Sequence, residues 1–306
     1  MRKLLFLLIF FLSSFCYSLD FYLEPEISYK NLYLQDYLYG QSGKLNSRLD
    51  YASSYQLSAG GKALLEIKDL FIDFSFLCSL PLQSGSMYDS DWKTAGIKTN
   101  YSIHDLWVKK AFNLELFTKY KFSFSDFSVF PVAGASFLYN DYSAKKGKAW
   151  YASRYYTGLD QDYPWYSEYA KKYKVFGIDY TNYFFNTLTG LELSFDAGNV
   201  FLSCQGCISP FCYAFAVDHH LGKEGGQYYQ MIQKAYFKNY YIKGQIGYKI
   251  SDRASVTFSS SFLFSRKIRG DFYFGYYAEE HVLAKETSAF KISGFESILG
   301  YSYKLF

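Results

Sequence analysis

The sequence predicts an all-β fold: a transmembrane antiparallel β-barrel of about ten long strands with extended extracellular loops. Three observations predict it. First, Tyr and Phe are in excess, with 34 and 31 among 306 residues, while Pro and Met number only 5 and 3. So large an aromatic share buries itself and excludes disorder, and it exceeds that of an ordinary soluble α/β enzyme. Second, segments alternate with period two, placing apolar residues on one face and small polar or charged residues on the other. Third, beyond the N-terminus no run approaches the roughly 18 apolar residues that a helical span needs.

The elements follow in order. Met1, Arg2 and Lys3 precede the apolar run Leu4 to Leu12 and then Ser13, Ser14, Phe15, Cys16, Tyr17 and Ser18. A basic start, a short apolar stretch and small residues at the exit describe a signal peptide, residues 1–18, cleaved after Ser18. A lipoprotein signal at Cys16 is disfavoured by Phe15, which stands where a small residue is wanted. Residues 19–306 then form a single barrel domain. Loss of Arg2 and Lys3 lowers the formal charge from +4 by two, so the mature chain is nearly neutral and nucleic acid is not an expected partner.

In the stretch Phe71 to Cys78, Ile72, Phe74 and Phe76 share one face and Asp73 and Ser75 the other. From Ser255 to Phe264, Val256, Phe258, Phe262 and Phe264 oppose Ser255, Thr257, Ser259 and Ser261. Near the end Leu299, Tyr301, Tyr303 and Leu305 oppose Gly300, Ser302 and Lys304. A sandwich could read this way. A barrel with lipid outside, a polar lumen and aromatic girdles fits better, and the terminal Phe306 agrees, although Lys304 holds a position usually apolar in such tails. Short turns at Lys68-Asp69, Ser123 to Asp126 and Ser251-Asp252 separate strands, and longer connections are expected at 142–173, 217–227 and 266–290. Cys204, Cys207 and Cys212 make a C-x2-C-x4-C cluster; in an exported chain a disulfide is favoured over free thiols or a metal.

Histidine is scarce, with four in the chain. On a strand, residues two apart share a face, so Asp218 can orient and charge-stabilise His220. Asp89 and Asp91 are likewise two apart, and such a carboxylate pair can share a proton or hold a water. A polar lumen or a solvated loop is the plain alternative for each pair. Both pairs fall near strand ends on the same side of the barrel.

Around these residues the chain resembles the omptins, outer-membrane aspartyl endopeptidases on a ten-stranded barrel. Met87-Tyr88-Asp89-Ser90-Asp91-Trp92 is similar to the omptin segment carrying its catalytic Asp pair. Thr99-Asn100-Tyr101-Ser102-Ile103-His104 is similar to the T-D-x-S-x-H stretch, with Asn100 in place of the acid. Asp218-His219-His220 falls where omptins carry an Asp-x-His dyad. The resemblance implies Asp89, Asp91, Asp218 and His220 as catalytic residues, with Ser102 and His104 supporting. It further implies a water held between Asp89 and His220 and deprotonated by His220. Of the carboxylates that give omptins their preference for basic residues, one is matched by Asp36 across a gap placed in the first loop. The other is Ala216 here, and Met87 matches a pocket-floor position, so Asp36, Met87 and Ala216 are the substrate-pocket candidates. No metal or other cofactor is implied. The strand Ala133-Gly134-Ala135-Ser136-Phe137-Leu138-Tyr139 lacks the charges with which omptins bind lipopolysaccharide, which weakens the expectation of dependence on it. The implied partners are polypeptide substrates and outer-membrane lipid, around a monomer whose site faces outward at the cell surface.

Two other readings stay open. One is a barrel acting as adhesin or receptor with a decayed site, to which the basic stretch from Lys145 to Arg154 would contribute. The other is a channel, which the narrow lumen of a ten-stranded barrel disfavours.

Overall fold

The structure is a computed structural model that describes residues 19–94, 96–125, 127–221, 227–276 and 282–306. Residues 1–18, the segment expected to be a signal peptide, lie outside the described residues. β1 (Leu19–Tyr39), β2 (Leu45–Ile67), β3 (Leu70–Ser79), β4 (Gln83–Asp91), β5 (Asn100–Tyr120) and β6 (Phe122–Phe124) form the first part of one antiparallel sheet. They are followed by β7 (Phe127–Tyr151), β8 (Lys171–Val175), β9 (Ile178–Ala197), β10 (Val200–Ile208) and β11 (Cys212–His220). The last part holds β12 (Gln227–Ala235), β13 (Asn239–Ser251), β14 (Ala254–Ser265), β15 (Ile268–Tyr276) and β16 (Val282–Lys304). Interrupted pairs (β3–β4, β5–β6, β8–β9, β10–β11, β12–β13 and β14–β15) each act as one wall, so ten walls stand side by side. β16 returns to β1 in the register Tyr22↔Lys304, Ile27↔Leu299 and Asp36↔Phe290 and closes the ring. Closure leaves no unpaired edge, which lipid requires of any sheet that crosses it.

The apolar alternation becomes the lipid belt. Leu23, Ile27, Phe74, Phe76, Leu191, Leu193, Phe258, Phe262, Leu299 and Tyr301 project outward and are exposed. Their alternates Asp73, Thr257, Ser259 and Ser261 are buried in the lumen. Lys304 is also inward and pairs with Asp20, which explains a cation in the terminal strand. Crossing the belt takes about 9–11 residues per strand, yet β1 has 21, β7 has 25 and β16 has 23. The walls therefore rise well above the membrane at the end opposite the chain termini.

Here the expected long connections are corrected. β7 continues to Tyr151 and β8 restarts at Lys171; β11 reaches His220, and β15 and β16 occupy most of 266–290. Above the belt the outer face meets water, so strand pairing persists without the apolar alternation that marks strands below. The turns at the other end are short, with Lys68 and Gly198 supplying positive φ of 54° and 67°.

The even residues of β1 give the lumen's layers from bottom to top. Glu24, Glu26 and Lys30 lie in an ionic layer with Lys62–Glu24 at 3.6 Å, Lys30–Glu296 at 3.4 Å, and Lys119 joined to Asp73 at 2.8 Å and Glu192 at 2.9 Å. Buried charges persist only when paired in this way. Leu32 and Leu34 belong to the next layer, a hydrophobic core with Tyr51, Met87, Leu106, Tyr142, Tyr180 and Phe184. Asp36 opens the third.

The cysteine expectation is corrected as well: Cys78, Cys204, Cys207 and Cys212 are all free. Cys204 and Cys207 sit three apart on β10, so one points to lipid and the other to the lumen, and no bridge can join them.

Candidate active site

The third layer is built by inward residues at the upper ends of four walls. β4 supplies Asp89 and Asp91, β5 supplies Ser102 and His104, β1 supplies Asp36, and β11 supplies Asp218 and His220. Register aligns them: Asp89 lies opposite Ser102 on one side and Leu49 on the other, while Asp218 lies between Tyr180 and Tyr229. Breaks in the walls decide which residues face in. On β10 the odd residues Gln205 and Cys207 are buried, and after the break at 209–211 the even residues Cys212, Ala214, Ala216 and Asp218 are. β5 switches likewise, from buried Asn113 and Phe117 below to buried Ser102 and His104 above, across a bulge between Val108 and Lys110. A bulge inserts one residue and turns every later side chain to the other face.

His220 Nε2 lies 3.1 Å from Asp218 Oδ2, and Asp218 is 1% exposed. Asp218 thus fixes the ring's plane and stabilises its cationic form. Asp91 pairs with Lys93 at 3.7 Å and accepts from Asn100 Nδ2 at 3.4 Å, so Asn100, standing where the resembled family has an acid, offsets the Asp91 charge. His104 Nε2 lies 3.0 Å from Ser102 Oγ. Burial, and then the neighbouring charge of His220, lower the His104 pKa to about 4, so its ring is neutral near neutrality. Asp36 is 1% exposed, and no hydrogen bond of ordinary geometry satisfies either carboxylate oxygen. Burial, opposed in part by the Tyr180 hydroxyl and reinforced by Asp218 and Asp50, raises its pKa to about 8. All of these groups stand above the apolar belt.

Two cavities open on this layer. One, of about 270 Å³, is lined by Asp36, Asp89, Asp91, Asp218, His220 and Lys93 together with Tyr229, Met231 and Phe272. The other, of about 300 Å³, is lined by Asp89, His220, Ser102 and His104 and by an aromatic wall from β7 and β8. Among the described residues, Asp89 and His220 alone line both. They come from separate walls, β4 and β11, and the cavities adjoin at these two residues.

Seven of the nine residues singled out in the sequence line these cavities. Met87 and Ala216 do not. Both are wholly buried one layer lower, in the core with Tyr51 and Tyr180, and act as a floor; Met231 lines the cavity above them. Sequence reasoning missed Lys93, Tyr151, Tyr173 and Tyr229. Among these only Tyr229 carried a signal, since it alternates with Met231 on one strand face.

With this geometry in view, comparison with known proteins is informative. The family model "Omptin family" matches residues 35–305. The chain belongs to the omptin family. Its fold is that of a crystal structure of the outer membrane protease OmpT from Escherichia coli, with a TM-score of 0.82 at 17% identity over 94% of this chain and 97% of that one. Neisserial surface protein A (9% identity, 94% and 98% covered) and the translocator domain of the autotransporter NalP from Neisseria meningitidis (8%, 93% and 88%) superpose poorly, at TM-scores of 0.30 and 0.34. No match was found among curated protein sequences. This omptin is therefore an outer-membrane β-barrel in a family of proteases.

Proposed function

We propose that this omptin is an outward-facing endopeptidase that hydrolyses peptide bonds with a water activated between Asp89 and His220. The observation that carries the reading is their position: the two residues shared by both cavities, with Asp218 bracing the imidazole at 3.1 Å. A peptide lying across the barrel mouth places one side chain in each cavity and its scissile carbonyl at the junction. Asp218 engages Nε2, so the opposite ring nitrogen, Nδ1, accepts the proton of the attacking water. The imidazolium that forms is stabilised by Asp218, as the orienting acid does in a Ser-His-Asp triad, and then donates to the leaving amine. Asp91, tied to Lys93 and Asn100, positions the water with Asp89. Ser102 and neutral His104 border the developing oxyanion. The buried Asp36 carboxyl favours a basic side chain in its cavity. No metal or cofactor enters, and a monomer suffices.

Turnover of internally quenched peptides by the detergent-refolded chain tests this. Cleavage is expected without lipopolysaccharide and unchanged by adding it, because Ala133 to Tyr139 offers a headgroup no charge. Hydroxylamine should yield no aminolysis product, since no acyl-enzyme forms; a hydroxamate would refute direct attack by water. Absence of any cleavage by the unaltered protein would leave the receptor reading.

One glycine offers a positioning test. A Cβ at Gly147 would overlap the His104 ring and Val175. Gly147→Ala is expected to push His104 off Ser102 and lower kcat on the order of tenfold to a hundredfold, the scale of a misplaced active-site group, with an unchanged folded-barrel band on unheated gels. Unaltered kcat would remove His104 from the machinery.

A further inference from the structure

The two cavities that meet at Asp89 and His220 differ in chemistry. The one holding Asp36 is lined, among the described residues, by four acidic side chains, with Lys93 and His220 beside them. The other has, among the described residues, Asp89 as its only carboxylate, counts Lys174 in its lining, and is walled by Tyr151, Tyr156, Tyr173 and Phe176. The three tyrosines pack as a cluster, with ring centroids 4.5 Å apart for Tyr151–Tyr156, 5.4 Å for Tyr151–Tyr173 and 6.5 Å for Tyr156–Tyr173. Phe176 is 75% exposed at its rim, a large apolar surface that a ligand would cover. The strands carrying this wall bear Lys145, Lys146 and Lys148 on β7 and Lys171, Lys172 and Lys174 on β8.

From this juxtaposition we infer that the tyrosine-walled cavity is a second specificity site, selecting an aromatic side chain on the side of the scissile bond away from the basic residue. A basic residue would meet Lys174 with one carboxylate, Asp89, to balance it among the described lining residues. A flat ring finds edge and face partners in the three tyrosines, and about 300 Å³ holds one such side chain at the small end of ligand-pocket sizes. The preferred sequence is then one basic and one aromatic residue flanking the cut, in place of two basic residues. This inference rests on the proteolytic reading.

A matrix of internally quenched peptides tests it. Arg is fixed on one side of the bond, and Phe, Tyr, Leu, Ala, Glu or Arg stands on the other, in both orders. In one of the two orders the unaltered protein is expected to cleave Arg with Phe or Tyr at least tenfold faster, in kcat/KM, than Arg with Ala. Arg with Arg should be slower still. In Tyr156→Ala and Tyr173→Ala the ratio of aromatic to alanine peptide should fall to within about threefold, chiefly through KM. Two arginines cleaved as well as Arg with Phe would overturn the inference and leave the protease standing. A ratio unmoved in both variants would overturn the assignment to the tyrosines. No cleavage of any peptide by the unaltered protein would overturn both readings.

Discussion

Replacing His220 with Ala, or Asp89 with Ala, is expected to lower kcat/KM for a cleaved peptide by about 10²- to 10⁴-fold, the usual contribution of a positioned general base. The barrel itself should persist. Neither residue belongs to the hydrophobic layer of Tyr51, Tyr142 and Tyr180 or to the ionic layer around Lys119, so both variants should migrate as folded barrels on unheated gels. Asp218→Asn probes the same unit differently. Its carboxylate lies 3.1 Å from His220 Nε2; an amide there can donate to Nε2 and drive the ring proton to Nδ1, the nitrogen that must accept. A loss comparable to His220→Ala is expected, and the double variant should be no worse than either single change, because residues that act as a unit are not additive. The pH profile adds a check. His220 must be neutral to work, so activity on a peptide with Gln in the Asp36 cavity falls on acidification with a single limb. His104, held at about 4 by burial and by His220, adds no second limb above pH 5. Unchanged turnover in His220→Ala or Asp89→Ala would end this mechanism.

Asp36→Asn is expected to cost about 30- to 1000-fold in kcat/KM for peptides with Arg or Lys in its cavity, the scale of removing one partner from a buried charge pair. Peptides with Gln in place of the basic residue should be nearly indifferent. The pH behaviour follows from a carboxyl raised to about 8 by burial and by Asp218 and Asp50. Below that pH the empty cavity holds a neutral acid, and a cationic side chain must displace its proton to bind. For basic peptides kcat/KM therefore rises toward pH 8 and then levels, beyond any change shown by the Gln peptide, and Asp36→Asn removes that component. Stability runs the other way. A folded-state pKa above the unfolded value contributes stability that is complete below about 4 and is lost as pH climbs to about 8. Asp36→Asn should accordingly gain on the unaltered protein across that window in thermal unfolding, and hold a constant gap above it. A pH-independent gap would show that Asp36 ionises normally.

Much of the site was legible because period two is strict on short scales. Asp89 with Asp91, Ser102 with His104, and Asp218 with His220 had to share faces, and each pair does. Met87 and Ala216 lie one layer lower, as a floor, and that depth was not legible, since spacing along a strand tells face but not height above the core. The three tyrosines of the second cavity were illegible. They come from Tyr151 at the end of β7, Tyr156 in the helical turn Arg154–Thr157 and Tyr173 on β8, a stretch whose outer face no longer needs to be apolar.

By itself the sequence determined the barrel, its lipid-facing alternation and the residue types that can move a proton. Tertiary structure decided which of them meet. Bulges and breaks near Val108 and at 209–211 reverse which side chains face inward, and ring closure brings β4, β5 and β11 around one lumen. A pattern of period two is local, whereas the phase of that pattern above a bulge and the partner across a lumen are set by hydrogen-bond register between strands far apart in the chain.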